Sequence, residues 1–460
     1  MSDAPEDLLP ATRRSLLHRL ARGQVDGRSP SMVGGVAREG QLVWCEGRGL
    51  VEGAPPTADT QYRIGSISKT FVAVLVMRLR DEGLVDLAEP LDTYLPGTLA
   101  GDRRVGELLA HTAGVASETP PPWWERVPGN VRPELADILG PDPLKHPAGR
   151  RFHYSNPGYG LLGALVGRLR GEPWSDVLNR EVLEPLRMTR TTLMPQSPHA
   201  QGWAVHPWAD VLLPEPAHDA GLMAPAGQLW STAHDLARFA ALLMDGDDRV
   251  LSSSTVAEMR VPASPAEGGT GSGGYGLGLQ LAPGRRPLAG HTGSMPGFLA
   301  TLWFAPDDGV AGIALANATS GPAVGTIAAD LLGIVADQEP RVPPSWAPLP
   351  DVDTHLLELT GPWYWGAAPL ALRLRADRHL ELTALHGTSR ESRFRPAADG
   401  TWTGQDGYYT GETLRVVRDA AGEVTHLDLG SFVLTRRPYP STGVVPGDVD
   451  PAGWRAGAGQ

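Results

Sequence analysis

From Ser66 the chain reads Ser-Ile-Ser-Lys-Thr-Phe-Val-Ala-Val-Leu-Val-Met-Arg-Leu-Arg-Asp-Glu-Gly, apolar on nearly every side for three turns and closed by Gly83. A helix apolar all round is a buried one, so the pattern predicts a core helix over 66–82. Residues 31–43 alternate around Arg38-Glu-Gly and predict a hairpin. A second helix is expected at 157–170 and a third near 324–336. Strand-like runs occupy 275–281, 298–304 and 310–317, and the middle of the chain is mixed and rich in glycine and proline. Strands at both ends around a helical middle predict an α+β fold, a sheet covered by helices with an all-helical subdomain alongside.

A Pro-rich stretch, Glu339-Pro-Arg-Val-Pro-Pro-Ser-Trp-Ala-Pro-Leu-Pro, predicts a semi-rigid linker at 339–350. It separates a unit at 1–338 from one at 351–440. In the second unit, runs such as Leu370-Ala-Leu-Arg-Leu-Arg and Leu380-Glu-Leu-Thr-Ala-Leu alternate. Turn signals at Ala376-Asp-Arg, Ala398-Asp-Gly and Ala421-Gly-Glu punctuate them. A small antiparallel barrel or sandwich follows. The tail 441–460 is expected to be disordered.

Composition sharpens one position. The 460 residues include only two lysines against 38 arginines. Arginine cannot be deprotonated in a protein, whereas a desolvated lysine loses its proton readily. Lys69 therefore marks a place that needs an amine able to become neutral. It lies three residues after Ser66, hence on the same face of the helix, in the Ser-x-x-Lys arrangement that activates a serine nucleophile. The bland alternative is that Ser66 merely caps the helix and Lys69 is an ordinary first-turn residue.

Companion motifs decide between these. Phe152-His-Tyr-Ser-Asn-Pro-Gly holds a Tyr-x-Asn triplet at Tyr154 and Asn156, and Gly290-His-Thr-Gly-Ser-Met holds a His-Thr-Gly triplet at 291–293. Each alone reads as structural: a core tyrosine, a turn residue before Pro157, a sheet histidine. In this order, and flanked by Leu108-Leu-Ala-His-Thr-Ala-Gly-Val and Pro225-Ala-Gly-Gln-Leu-Trp-Ser-Thr-Ala-His-Asp, they resemble the serine penicillin-recognising superfamily over about 25–338. That superfamily contains class C β-lactamases, penicillin-binding proteins, D-aminopeptidases and esterases.

The resemblance implies a β-lactamase/transpeptidase-like fold with the site in a cleft, and a lipocalin-like identity for the C-terminal β unit. It implies Ser66 as nucleophile, Lys69 as its base and Tyr154 as proton shuttle, with cationic help from Lys69 or His291 if tyrosine is to act as a base. Asn156 orients Lys69 and binds the substrate carbonyl. The backbone N–H groups of Ser66 and Ser294 form the oxyanion site, and Thr292 and Gly293 line the substrate. His291 stands where lysine is usual in β-lactamases, which argues against penicillin or free peptide carboxylates as best substrates. If His291 gives a cation or proton, turnover responds to pH near ~6–7.

His111, His146, His153 and His234 lack metal-ligand spacing and read as framework. No metal or cofactor is expected. Cys45 reads as a small buried hydrophobe rather than a reactive thiol.

A net charge of −12 argues against nucleic acid. No stretch approaches the ~20 apolar residues of a membrane span, and the N-terminus lacks the basic-then-apolar pattern of a secretory signal, so a cytoplasmic protein is expected. Within the superfamily this combination most resembles the stand-alone penicillin-binding-protein-type thioesterases. These take a peptide from the carrier protein of a nonribosomal peptide synthetase and cyclise it, typically at a D-residue. D-aminopeptidase, esterase or β-lactamase-like hydrolysis is the alternative within enzymes, and an inactive ligand-binding sensor the alternative outside them.

Overall fold

The computed structural model describes residues 8–132, 134–264, 274–343, 345–351, 353–387 and 390–439. The chain divides into two compact units, Met1–Arg341 and Val342–Gln460. The tail 441–460 lies outside the described residues.

In chain order the main elements of the first unit are α1 (Pro10–Asp26), β1 (Ser31–Arg38), β2 (Gln41–Gly49), α2 (Ile67–Asp81), α3 (Asn156–Arg170) and α4 (Ala233–Asp245). They continue with β3 (Gly274–Tyr275), β4 (Gln280–Ala282), β5 (Leu288–Met295), β6 (Phe298–Ala305), β7 (Val310–Ala316) and α5 (Val324–Gln338). The strands form one antiparallel sheet in the order β2-β1-β7-β6-β5-β4-β3. The fold is α+β and β-lactamase-like, as the motifs imply.

Two details differ from the pattern reading. Alternation along β1 does not separate core from solvent, since seven of its eight residues are buried. Met32 and Val36 pack with Leu16, Leu20, Leu331 and Val335 of α1 and α5. Val33 and Ala37 join Phe71 and Phe239 of α2 and α4. The period of two thus divides residues between two cores, one on each face of the sheet. The hairpin itself turns at Glu39 and Gly40, both with positive φ (50° and 74°), the geometry that matches strand twist.

The run 275–281 is two short strands rather than one. The chain turns between them at Gly278 (φ 78°), and Leu277 and Leu279 are drawn into the core. Alternating hydrophobicity does not register such a turn.

α2 is buried at every residue from Ile67 to Met77. Phe71 stacks on Phe239 of α4 at 3.7 Å, fixing the helix beneath the sheet. Cys45, half-buried on β2, packs against the same core, and burial pushes its thiol pKa up to about 12. Among the described residues no helix is long and apolar enough to cross a membrane.

The second unit is a closed eight-stranded antiparallel barrel: β8 (Gly361–Trp365), β9 (Ala368–Leu374), β10 (Leu380–Ala384), β11 (Ser392–Pro396), β12 (Trp402–Gly404), β13 (Thr413–Arg418), β14 (Val424–Leu429) and β15 (Phe432–Thr435). Inward-facing Trp363, Leu372, Leu382, Phe394, Leu414 and Leu427 are fully buried and fill it. The three turn signals fall in hairpin loops, two of them through glycines with left-handed φ, Gly400 and Gly422. This is the lipocalin-like all-β architecture expected.

Candidate active site

Ser66 stands at the N-terminus of α2 and its side chain makes no capping bond. Its Oγ lies 3.0 Å from Lys69 Nζ, which also donates to the Ala226 carbonyl at 2.5 Å. Lys69 is fully buried, and that desolvation pulls its pKa down to about 7, against partial opposition from the Glu118 and Glu125 carboxylates. An ammonium at this position donates to Ser66. A neutral amine offers its lone pair instead, and the Ser66 hydroxyl then donates to it.

Tyr154 reaches the same point from the loop before α3. Its hydroxyl interacts with Ser66, and its ring lies 4.9 Å from Lys69 Nζ. Burial raises the tyrosine pKa well above its ordinary value, and the interaction with Ser66 offsets this only in part. The phenol therefore stays protonated near pH 7. Base character belongs to Lys69, and Tyr154 is placed to pass a proton on.

Asn156 departs from its expected partner. Its amide donates to Glu118 Oε1 at 2.7 Å, and Trp124 Nε1 donates to the other oxygen at 2.9 Å. Lys69 is held by Ser66 and Ala226, so Asn156 does not orient it directly. Glu118, in a loop, and Glu125, in the single helical turn Trp124–Arg126, set the charge around Lys69; both lie outside the three motifs, and no sequence signal marks them.

His291 also differs from expectation. It is 1% exposed on β5, and burial together with the nearby Lys69 lowers its pKa to about 3. Nδ1 faces the Thr292 carbonyl at 2.6 Å and must carry the proton. Nε2, 3.0 Å from the Tyr275 hydroxyl, then accepts from it. A ring held in this tautomer supplies neither cation nor titration near pH 6–7.

The strand carrying it contributes through its backbone. Met295 and Phe298 close a two-residue hairpin, so the Ser294↔Leu299 and Thr292↔Thr301 pairs are the open kind and their N–H groups point away from β6. Gln280 Oε1 takes the Thr292 N–H at 3.0 Å. The Ser294 N–H, directed the same way, meets the turn before Ser66. A Cβ on Gly65 (φ 53°) would stand 2.5 Å from Ser294 N, and one on Gly293 only 1.9 Å from the Ile64 carbonyl and 3.1 Å from Ser66 N. Glycine at both positions is what lets this strand approach the turn before Ser66 so closely.

The fold and this serine–lysine–tyrosine cluster define a serine hydrolase class. The Beta-lactamase family matches residues 17–337, and the chain belongs to it. A second match, described as Domain of unknown function (DUF7586), covers 352–436. Beta-lactamase-like protein 2 of Dictyostelium discoideum is 26% identical over 263 residues, 53% of this chain, which spans about half (48%) of that relative's length. Penicillin-binding protein 4 of Amycolatopsis lactamdurans is 28% identical over 315 residues, covering 64% of this chain and 78% of its own. Among solved structures, SurE is similar across 93% of this chain and 99% of its own, with 27% identity and a TM-score of 0.60.

Proposed function

We propose that the chain is an acyl-enzyme catalyst that takes a peptidyl thioester, ester or amide onto Ser66 and releases it by attack of the peptide's own amine. The observation that carries this reading is the Lys69 amine, buried, poised to be neutral at pH 7 and in contact with the Ser66 hydroxyl. Ser66 Oγ adds to the acyl carbon as its proton passes to Lys69, and the carbonyl oxygen takes the negative charge beside the Ser66 and Ser294 amides. Collapse breaks the bond to the leaving group, which recovers the proton by way of Tyr154. The incoming amine then reverses the sequence, losing a proton to the same pair while Ser66 regains its own.

Neutral His291 supports a substrate whose acyl end has no free carboxylate, as in a thioester. SurE, similar across both units, has also been solved with D-Leu, which favours a D-residue at that end. A carrier protein of a nonribosomal peptide synthetase is then the fitting donor, met in the cytoplasm. A tethered amine has an effective concentration that rivals bulk water, provided the chain can fold back.

The test is a linear peptide with a D-residue C-terminus as a pantetheine-type thioester and a free N-terminal amine. The reading expects more cyclic peptide than free acid, and neither with Ser66→Ala. Exclusive hydrolysis, with brisk release of D-amino acids from simple amides, would replace it by a D-aminopeptidase. No turnover of either kind would favour a ligand sensor.

A further inference from the structure

Behind Tyr154 lies a histidine that this chemistry leaves unused. His111 is 1% exposed and adopts a left-handed φ of 55°, which a non-glycine residue holds only where its surroundings enforce it. It grips the segment carrying Tyr154 on both sides. Its carbonyl accepts the His153 N–H at 2.7 Å, and its Nδ1 accepts the Ser155 N–H at 3.1 Å. Between these two anchors its ring lies against the Tyr154 ring, with centroids 4.2 Å apart. Tyr275 and Tyr159 close the other sides at 4.7 and 5.1 Å.

Because Nδ1 accepts, the proton of the neutral ring sits on Nε2, and that buried atom has no hydrogen-bond partner among the described residues. A strained backbone and an unpaired buried donor at one residue are two unfavourable features that the packing alone does not require. Burial, with Lys69 nearby, keeps the ring from protonating.

We propose that His111 is a positioning residue for acylation: its two anchors and its ring hold the Tyr154 hydroxyl on Ser66, and its uncharged bulk keeps water from Lys69. The inference rests on Ser66 being the acylated residue. The titratable and charged groups around Lys69 are Tyr154, Tyr159, His111, His291, Glu118 and Glu125.

Two variants separate positioning from mere packing. His111→Asn suits the left-handed backbone but removes the ring, and His111→Phe keeps a ring but removes the acceptor for the Ser155 N–H. Each is followed by the pH profile of Ser66 acylation with an activated D-acyl ester, by kcat and KM, and by thermal unfolding. In the asparagine variant water reaches Lys69, so the rising limb moves up by about one pH unit and the rate at pH 7 falls about fivefold. In the phenylalanine variant the limb stays near 7, while kcat falls and KM holds because Tyr154 is less well placed. If the asparagine variant does not fold, the phenylalanine variant decides alone. Wild-type limb and rate per folded molecule in a folded variant overturn the inference. Absence of any Ser66 adduct in the wild type overturns the acyl-enzyme reading and this inference with it, whereas an adduct with unmoved profiles sinks the inference only.

Discussion

Lys69 carries both the chemistry of this site and a cost to its stability, and both come from burial. Its pKa falls from the ordinary lysine value to about 7 in the folded chain. Between those values the unfolded chain binds more protons than the folded one, so stability rises with pH across the window and the full penalty applies below pH 7. Lys69→Met should accordingly be more stable than wild type by about 1–4 kcal/mol at pH 6.5, with the gap narrowing toward pH 10. Urea unfolding at both pH values measures it; a methionine variant less stable at pH 6.5 contradicts the assignment. Lys69→Arg keeps the charge and loses the base, and Ser66 acylation should drop by about 10²–10⁴. A rate within a few-fold of wild type would reduce Lys69 to a positive charge.

Among elements, the decisive contact is β5 against the turn that opens α2. A methyl on residue 293 cannot fit 1.9 Å from the Ile64 carbonyl without moving the strand. Gly293→Ala should therefore separate the two amides and lower the acylation rate by about 10²–10³, as loss of an oxyanion donor does. Intact-mass kinetics read this directly, and an unimpaired alanine variant would show that Ser294 N–H is not a donor to the substrate. Much of this arrangement is legible in the sequence, because helix geometry alone puts residues 66 and 69 on one face and the apolar run buries Lys69. The strands β6 and β7 and the helix α5 are legible for the same reason, an unbroken pattern. What the pattern misses has no periodicity. His111 acts through a single left-handed residue, Glu118 comes from a loop and Glu125 from a single helical turn, and the turn at Gly278 leaves the alternation of 275–281 intact. The neutral state of His291 comes from its burial and the nearby Lys69, and its tautomer from the Thr292 carbonyl and the Tyr275 hydroxyl, none of which residue spacing encodes.

At the scale of the whole molecule, the two units have separate cores. Trp363 is fully buried in the barrel and its indole N–H is satisfied by the Leu359 carbonyl at 2.7 Å. Trp363→Ala should destabilise the barrel by about 3–5 kcal/mol, seen as an earlier calorimetric transition, with Ser66 acylation within twofold of wild type. Loss of acylation in step with the barrel would mean that the catalytic unit depends on it. A neutral Lys69 taking the Ser66 proton is the step on which the proposed chemistry turns, and the pH dependence of Ser66 acylation by an activated D-acyl ester, followed by intact mass on the full chain, measures it. The rate should rise to a plateau through a single limb with its midpoint at about 7, unchanged in His291→Gln, with no adduct in Ser66→Ala. A rate flat from about pH 5 to 9, or a limb that disappears in His291→Gln, would contradict it.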